Sequence, residues 1–234
     1  MRPSIAALRR GLTAVLLLIN SISVSSSAAA DNLHFRFIGN EAFLITGGRN
    51  TLLTDFPYAS GAFGYMTYDR AAVDGVENAL CLITHGHADH FDPRLFAATK
   101  FAIIAPPSVL GSLDTPRKIA FAPEMTYREI TVKAFRTPHG DIEHFSYLVR
   151  WHGLRMYFAG DTGDVAELSR QSGLDVAFVT PWLLKAMKEQ GKRIRTKQIV
   201  IYHQTPDEDV PFYQDRRALK QGESFDLRIP HSER

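Results

Sequence analysis

Short apolar runs recur along the chain and are separated by polar, glycine-containing connections. The runs are rich in β-branched and aromatic residues, which is typical of buried or half-buried strands. A further run at Ser224–Ile229 follows a polar loop at Gln204–Asp215 and predicts an edge strand. The pattern predicts ten other strands: His34–Ile38, Ala42–Thr46, Thr51–Asp55, Ala79–Thr84, Phe101–Ala105, Glu129–Thr137, His144–Arg150, Arg155–Ala159, Val176–Thr180 and Gln198–Tyr202.

Helices are predicted between several of these strands. Asp92-Pro93 is typical of a helix start, since Asp caps the free N–H groups and Pro suits the first helical position. No Pro/Ser-rich linker divides residues 31–234, so a single α/β domain is expected. The four predicted helices are Asp92–Thr99, Pro106–Leu113, Asp164–Ser172 and Pro181–Gln190.

The first thirty residues have the pattern of a secretory signal. A basic start at Arg2, Arg9 and Arg10 precedes the apolar Leu12–Val24, and Ala28-Ala29-Ala30 offers a cleavage site. The alternative is a membrane anchor, but the apolar run is shorter than the roughly 20 residues of a span. We therefore expect a periplasmic or secreted domain without a stable membrane anchor.

The charge of the chain changes when the predicted signal is set aside. The whole chain has a formal net charge of +2, and the three arginines of the signal leave 24 basic against 25 acidic residues in the remainder. The basic segment Lys185–Lys197 is interpreted as a solvated helix face and loop, with a phosphate-binding patch as the alternative. A nucleic-acid partner is not expected. The expected partner is a small-molecule substrate.

The single cysteine, Cys81, excludes an intrachain disulfide.

Chemistry is concentrated in the loop after the predicted strand Ala79–Thr84. Three imidazoles and a carboxylate follow within six residues, at His85, His87, Asp89 and His90. Imidazole nitrogen and carboxylate oxygen are the ligands that zinc and similar metals prefer. The four groups exceed what one tetrahedral ion takes from one loop, so two adjacent ions are expected.

Three other predicted strands end at residues that can bind a metal. His139 follows the first of them, Asp161 emerges from a glycine-flanked turn after the second, and His203 follows the third. His144 is an alternative to His139, which we prefer because Pro138 and Gly140 hold it in a tight turn. We therefore expect these side chains to meet along one edge of a sheet sandwich.

This set of motifs resembles the metallo-β-lactamase superfamily. The order His-x-His-x-Asp-His, a distant His, Gly-Asp after a strand and a last His runs from about Asp31 to His203. The resemblance implies a four-layer αβ/βα sandwich, and for Asp55 a role in orienting a ligand or loop. It also implies the metal ligands: His85, His87 and His139 at a first ion, Asp89, His90 and His203 at a second, and Asp161 as a bridge.

The turn Phe158–Gly163 narrows the resemblance. True β-lactamases have Cys or Ser in place of the bridging Asp, whereas this chain has Asp161. The chain resembles more closely the lactonase- and phosphodiesterase-like branch. That branch includes ascorbate-6-phosphate lactonases and the phospholipase D that acts on N-acyl phosphatidylethanolamines.

Paired ions imply a hydrolase. Two cations lower the pKa of a shared water and create a hydroxide that attacks an ester, lactone or phosphodiester bond, with Asp89 as the catalytic carboxylate. Zinc is the expected ion, with manganese or iron as alternatives. Aromatic residues of Phe56–Tyr68, together with Trp182 and Tyr202, are candidates for lining the pocket, and the equal alternative is that they cap the sheet. Two other functions stay open: a mononuclear iron enzyme like the sulfur dioxygenases, and a non-catalytic metal-binding protein.

Overall fold

The structure, a computed structural model, describes residues 31–61, 64, 66–67, 69–205 and 216–230. The predicted signal segment, three aromatic residues of the predicted pocket (Phe63, Tyr65 and Tyr68) and most of the loop 204–215 lie outside the described residues. Within the described part, no helix is long and apolar enough to cross a membrane.

The described residues form thirteen strands and four α-helices, and every predicted strand and helix is present with slightly different ends. The strands are β1 Asn32–Gly39, β2 Ala42–Gly47, β3 Asn50–Thr54, β4 Ala79–Leu82, β5 Ala102–Ile104, β6 Glu124–Tyr127, β7 Ile130–Arg136, β8 Phe145–Trp151, β9 Leu154–Phe158, β10 Leu174–Val179, β11 Thr196–Ile201, β12 Arg216–Ala218 and β13 Ser224–Arg228. The helices are α1 Pro93–Ala97, α2 Pro107–Gly111, α3 Val165–Arg170 and α4 Pro181–Glu189.

Two short strands and a 3₁₀ helix (Arg70–Val73) were not predicted from the sequence. The strand β12 reads Arg-Arg-Ala and is largely exposed at the end of its sheet, so it has no apolar alternation to detect. In β6 only Met125 is buried, which is too little for a periodic signal. The strand β13 lies at a sheet edge and pairs with β1, as expected.

The strands form two mixed sheets within the described chain. The first has the order β13-β1-β2-β3-β4-β5 and the second β12-β11-β10-β9-β8-β7-β6. In the first sheet β3, β4 and β5 are parallel, and β1 runs the same way because two antiparallel steps separate it from β3. By the same argument β7 runs parallel to β9, β10 and β11. The carboxyl ends of these strands therefore meet at one edge of each sheet.

The two sheets and the helices on their outer faces form four layers. A central core, which includes Phe35, Phe43 and Phe178, fills the space between the sheets. Phe96 of α1 packs on the outer face of the first sheet, and Leu183 of α4 packs on the outer face of the second. The predicted α/β four-layer αβ/βα sandwich is confirmed.

We expect Phe178→Ala to lower the free energy of unfolding by about 3–5 kcal/mol, as is usual for a buried aromatic residue truncated to alanine. Phe178 is fully buried and its ring contacts Phe35 and Phe43 of one sheet and Phe158 of the other. Urea denaturation measures the change. The control Leu227→Ala, on the edge strand β13, should cost clearly less, and equal costs would contradict the central role of Phe178.

Candidate metal centre

The predicted ligands come directly after strands, and the topology places the ends of these strands at the same edge. The loop His85–His90 follows β4, and Asp55 follows its parallel neighbour β3. In the second sheet His139 follows β7, Asp161 follows β9 and His203 follows β11. One site therefore draws on both sheets.

One carboxylate oxygen lies at the centre of these side chains. The distances from Asp161 Oδ2 to the Nε2 atoms of four histidines are 3.9 Å for His85, 3.4 Å for His90, 3.7 Å for His139 and 3.4 Å for His203. Asp161 thus lies between the two predicted groups of ligands, where a bridging ligand would be placed.

The possible ligand atoms fall into compact groups. Within each of the sets His85-His87-His139, His85-His90-Asp161 and Asp89-His90-His203, all ligand atoms lie within 4.8 Å of one another. His90 Nε2 and Asp161 Oδ1 are buried and make no hydrogen bond within the described residues. Buried polar atoms in this state are costly, and a bound cation would satisfy them. The residues present therefore fit a metal centre.

A hydrogen-bond chain orients His85. The carboxylate of Asp55 accepts from the backbone N–H of Thr84 (2.7 Å) and from its hydroxyl (3.0 Å). Because the Thr84 hydroxyl donates to Asp55, it accepts from His85 Nδ1 at 3.0 Å. This leaves the lone pair of His85 Nε2 directed at the site. Asp55 therefore has the orienting position that was predicted for it.

His144 occupies a supporting position beside the site. Its Nε2 accepts the backbone N–H of Asp161 at 3.0 Å, and its Nδ1 lies 2.9 Å from the hydroxyl of Thr137. The lone pair that His144 would need for a metal is therefore already used. Gly160 permits this contact, since it has φ +64° and a Cβ there would clash with His144 Nε2.

The direction of the pKa shift differs between the histidines of the two groups of ligands. Burial lowers the pKa of both His85 and His139, which keeps these imidazoles neutral. Burial also acts on His90, but the carboxylates nearby, Asp161 above all, outweigh it and raise the pKa of His90 to about 10. Hydrogen bonds to carboxylates likewise outweigh burial and raise the pKa of His203. An ion bound by His90 and His203 would take the place of protons.

The site opens to solvent on one side. His87 is exposed, and the side chains of His139 and Asp89 are 24% and 27% exposed, whereas His85 and His90 are fully buried. A surface hollow of about 580 Å³ adjoins His139 and is lined by residues 136–143. A substrate would reach the site from this side.

The predicted aromatic pocket is only partly supported. Phe56 and Tyr58 are fully buried among the side chains beneath α1, so they fill the core and do not line a pocket. Tyr202 is also buried, and its hydroxyl accepts the backbone N–H of Gly160. Trp182 is half-buried beside the site: its ring lies 5.0 Å from that of His203 and its Nε1–H donates to the carbonyl of Asp161.

The structure adds two residues that the sequence analysis did not identify. Asn40 and Glu41 form the turn between β1 and β2, at the same edge as the ligands. The Asn40 side chain donates to the backbone carbonyl of Asp89 (2.7 Å), and the backbone carbonyl of Asn40 accepts from the N–H of His203 (2.9 Å). Two polar residues in a hairpin turn are common. Only the direction of β1, which places this turn at the edge of the ligands, could have indicated that Asn40 and Glu41 belong to the site.

A family model described as a Beta-lactamase superfamily domain matches residues 70–218, which is more than half of the chain. The chain belongs to this superfamily. The match contains all seven predicted ligands, but it begins after Asp55 and the β1–β2 turn. The superfamily named by the sequence analysis is confirmed, whereas its lactonase-like branch stays a prediction.

Relatives agree with the class of enzyme predicted, a hydrolase of the metallo-β-lactamase fold. The chain is 28% identical over 164 residues to a UPF0173 metal-dependent hydrolase of Thermococcus kodakarensis, covering 62% of this chain and 70% of the relative.

Among solved structures, two with low identity share the fold. Igni18, a metallo hydrolase from Ignicoccus hospitalis, matches with a TM-score of 0.65 at 16% identity over 85% of this chain and 100% of that chain. The metallo-beta-lactamase fold protein YhfI from Bacillus subtilis matches with a TM-score of 0.60 at 14% identity over 84% and 100%.

We expect His139→Ala to lose metal, because it leaves the first group with only His85, His87 and the bridge. His144→Ala should retain the metals, since its Nε2 accepts from the backbone of Asp161 and does not face an ion. Metal analysis of both purified variants, side by side, makes the comparison. Loss of metal in His144→Ala with retention in His139→Ala would reverse the assignment of these two residues.

Proposed function

We propose that the protein is a hydrolase that binds two divalent cations, zinc by expectation, and cleaves an ester, lactone or phosphodiester bond of a small molecule. When bound, such a pair of cations supplies a water with a pKa near neutrality and neutralises the charge that develops on the substrate oxygen. The rest of the proposal concerns what the side chains do.

The observation that carries the proposal is the position of Asp161 Oδ2 among the imidazole nitrogens of four histidines, at 3.4–3.9 Å. One ion needs three or four ligands, and the cluster offers two such groups, His85-His87-His139 and Asp89-His90-His203, in addition to this oxygen. A mononuclear centre would leave one group of buried imidazoles without a partner. Two ions therefore account for the whole cluster.

Asp89 is the residue best placed to act on a proton. Burial raises its pKa, but the hydrogen bond to His203 and the charge of His90 outweigh burial and hold the pKa below its usual value. Asp89 therefore stays a carboxylate. It is also half-buried at the open side of the site, with Oδ2 3.3 Å from His203 Nε2. There it would orient the attacking water and accept its proton for transfer to the leaving group.

We propose the lactonase- and phosphodiesterase-like branch because Asp161 stands where true β-lactamases have Cys or Ser. The backbone of Asp161 is fixed by His144 and by Trp182, so this turn is built around the carboxylate side chain. A lactone or phosphodiester substrate would enter past His139, where the hollow lies. A screen of the metal-loaded domain (residues 31–234) against lactones, phosphodiesters and thioesters identifies the bond that is cleaved.

The protein should bind two ions per chain. Seven ligand residues arranged as three, three and one bridge need two cations to be satisfied. Elemental analysis of protein saturated with zinc or manganese gives the count. A firm value of one ion would contradict the dinuclear centre, and a single iron in protein purified without added metal would favour the dioxygenase-like alternative.

Asp161→Ala should lower the affinity for the second ion and the rate of hydrolysis together, by about 10–100-fold or more, as is usual when a metal shell is disturbed. The matched control is Asp164→Ala, three residues away, where the carboxylate only caps α3. That variant should keep its metal and turnover. Unchanged metal content and turnover in Asp161→Ala would exclude Asp161 from the site.

A further inference from the structure

Glu41 is a fully buried carboxylic acid at the metal centre for which the predicted ligand set gives no role. Its exposed fraction is 0%, and neither side-chain oxygen has a hydrogen-bond partner within the described residues. Leaving a buried carboxyl group in this state is costly, and such groups are usually paired or bound to a cation. The family match begins at residue 70, so it assigns nothing to Glu41.

Glu41 lies next to His90, a predicted ligand of the second ion, on the side of the ring that faces away from Asp161. Its Oε2 lies 3.7 Å from His90 Nδ1, while His90 Nε2, on the opposite side of the ring, faces Asp161 at 3.4 Å. Burial, followed by the charges of Asp161 and Asp55, raises the pKa of Glu41. Glu41 thus lies directly behind a predicted ligand.

Asp55 is a second carboxylate close to His90 Nδ1. Its Oδ2 lies 3.5 Å from His90 Nδ1, but both oxygens of this carboxylate also accept hydrogen bonds from Thr84. The orientation of Asp55 is therefore set by the backbone and hydroxyl of Thr84. Among the described residues no backbone or hydroxyl group donates to the side-chain oxygens of Glu41, so Glu41 can accept from His90.

The backbone holds Glu41 in this place. The carbonyl of Glu41 accepts from the hydroxyl of Thr54 at 2.8 Å, and the same hydroxyl accepts the N–H of Phe43 at 3.0 Å. The neighbouring Asn40 is hydrogen-bonded to the loop of Asp89 and to the backbone of His203. The β1–β2 turn is therefore attached to both protein segments that deliver ligands of the second group.

We propose that Glu41 is a positioning residue for the second metal ion: it accepts the Nδ1–H of His90 and fixes the ring so that Nε2 faces the ion. Ligating histidines generally need such a partner on their other nitrogen. The inference rests on the proposed two-ion centre.

Metal titration of the metal-free protein tests the role of Glu41. In Glu41→Met, which keeps the size of the side chain but removes its polar atoms, the second-ion affinity should fall about 10–100-fold. The first-ion affinity, set by His85, His87 and His139, should stay within about threefold. Glu41→Gln keeps an oxygen that can accept from His90 Nδ1 and should restore most of the second-ion affinity.

Two further measurements separate positioning from a general effect on the fold. The unfolding midpoint of metal-free Glu41→Met should equal or exceed that of the wild type, because a buried acid without hydrogen bonds is removed. Should Glu41→Met not fold, Glu41→Asp, which withdraws the carboxylate from His90, should show the same loss of second-ion affinity. The control Glu129→Met, at the opposite edge where Glu129 contacts Asn50 and Trp151, should change neither affinity.

Each outcome has a distinct meaning. Two ions bound with wild-type affinities by Glu41→Met, or by Glu41→Asp where that variant is used, would overturn the role of Glu41 and leave the proposed function intact. Three ions in the wild type and two in Glu41→Met would make Glu41 a ligand, with Asp55 and His90, and would overturn positioning. A single ion in the wild type would overturn the proposed function, and positioning at a second ion with it.

Discussion

The convergence of four imidazoles on a single oxygen of Asp161 is the interaction on which the rest of the site depends. A carboxylate that is buried this deeply needs compensating charge and fixed geometry. The geometry comes from the backbone: Gly160 allows the turn, and His144 accepts the Asp161 N–H. The compensating charge comes from His90, which follows a strand of the first sheet, and from His203, which follows a strand of the second. The site can therefore exist only where the two sheets present their strand ends together.

Supporting residues contact the ligand histidines at their Nδ1 atoms, on the buried side of the site. Asp55 acts on His85 through the hydroxyl of Thr84, and Asp55 and Glu41 both lie near the Nδ1 of His90. None of these contacts faces the open side of the site, where a substrate would bind. Orientation of the ligands and access to them are thus handled by different parts of the fold.

The sequence allowed the architecture and the ligand-bearing strand ends to be predicted because both depend on local patterns. A short apolar run followed by His or Gly-Asp is visible in one dimension, as at β4 and β9. Glu41 was not found because its role depends on β1 running parallel to β3, a relation between strands that no local pattern encodes. Whether Phe56 and Tyr58 line a pocket or cap the sheet stayed open for a similar reason, since their burial depends on the position of α1. Positional reasoning favoured His139 over His144, and the hydrogen bond from Asp161 to His144 supplies a physical reason.

The pairing of β1 with β13 has a consequence for how the molecule assembles. Residues about 190 positions apart meet there, as His34 and Asp226 do across the two strands. Contacts of such high sequence separation are slow to form, because a long loop must close before they add stability. The turn that holds Asn40 and Glu41 adjoins this strand pair, so this side of the site is completed only when β13 has joined the sheet. A chain truncated before β13 would carry every predicted ligand, but β1, and with it the turn of Asn40 and Glu41, would lack one of its two neighbouring strands.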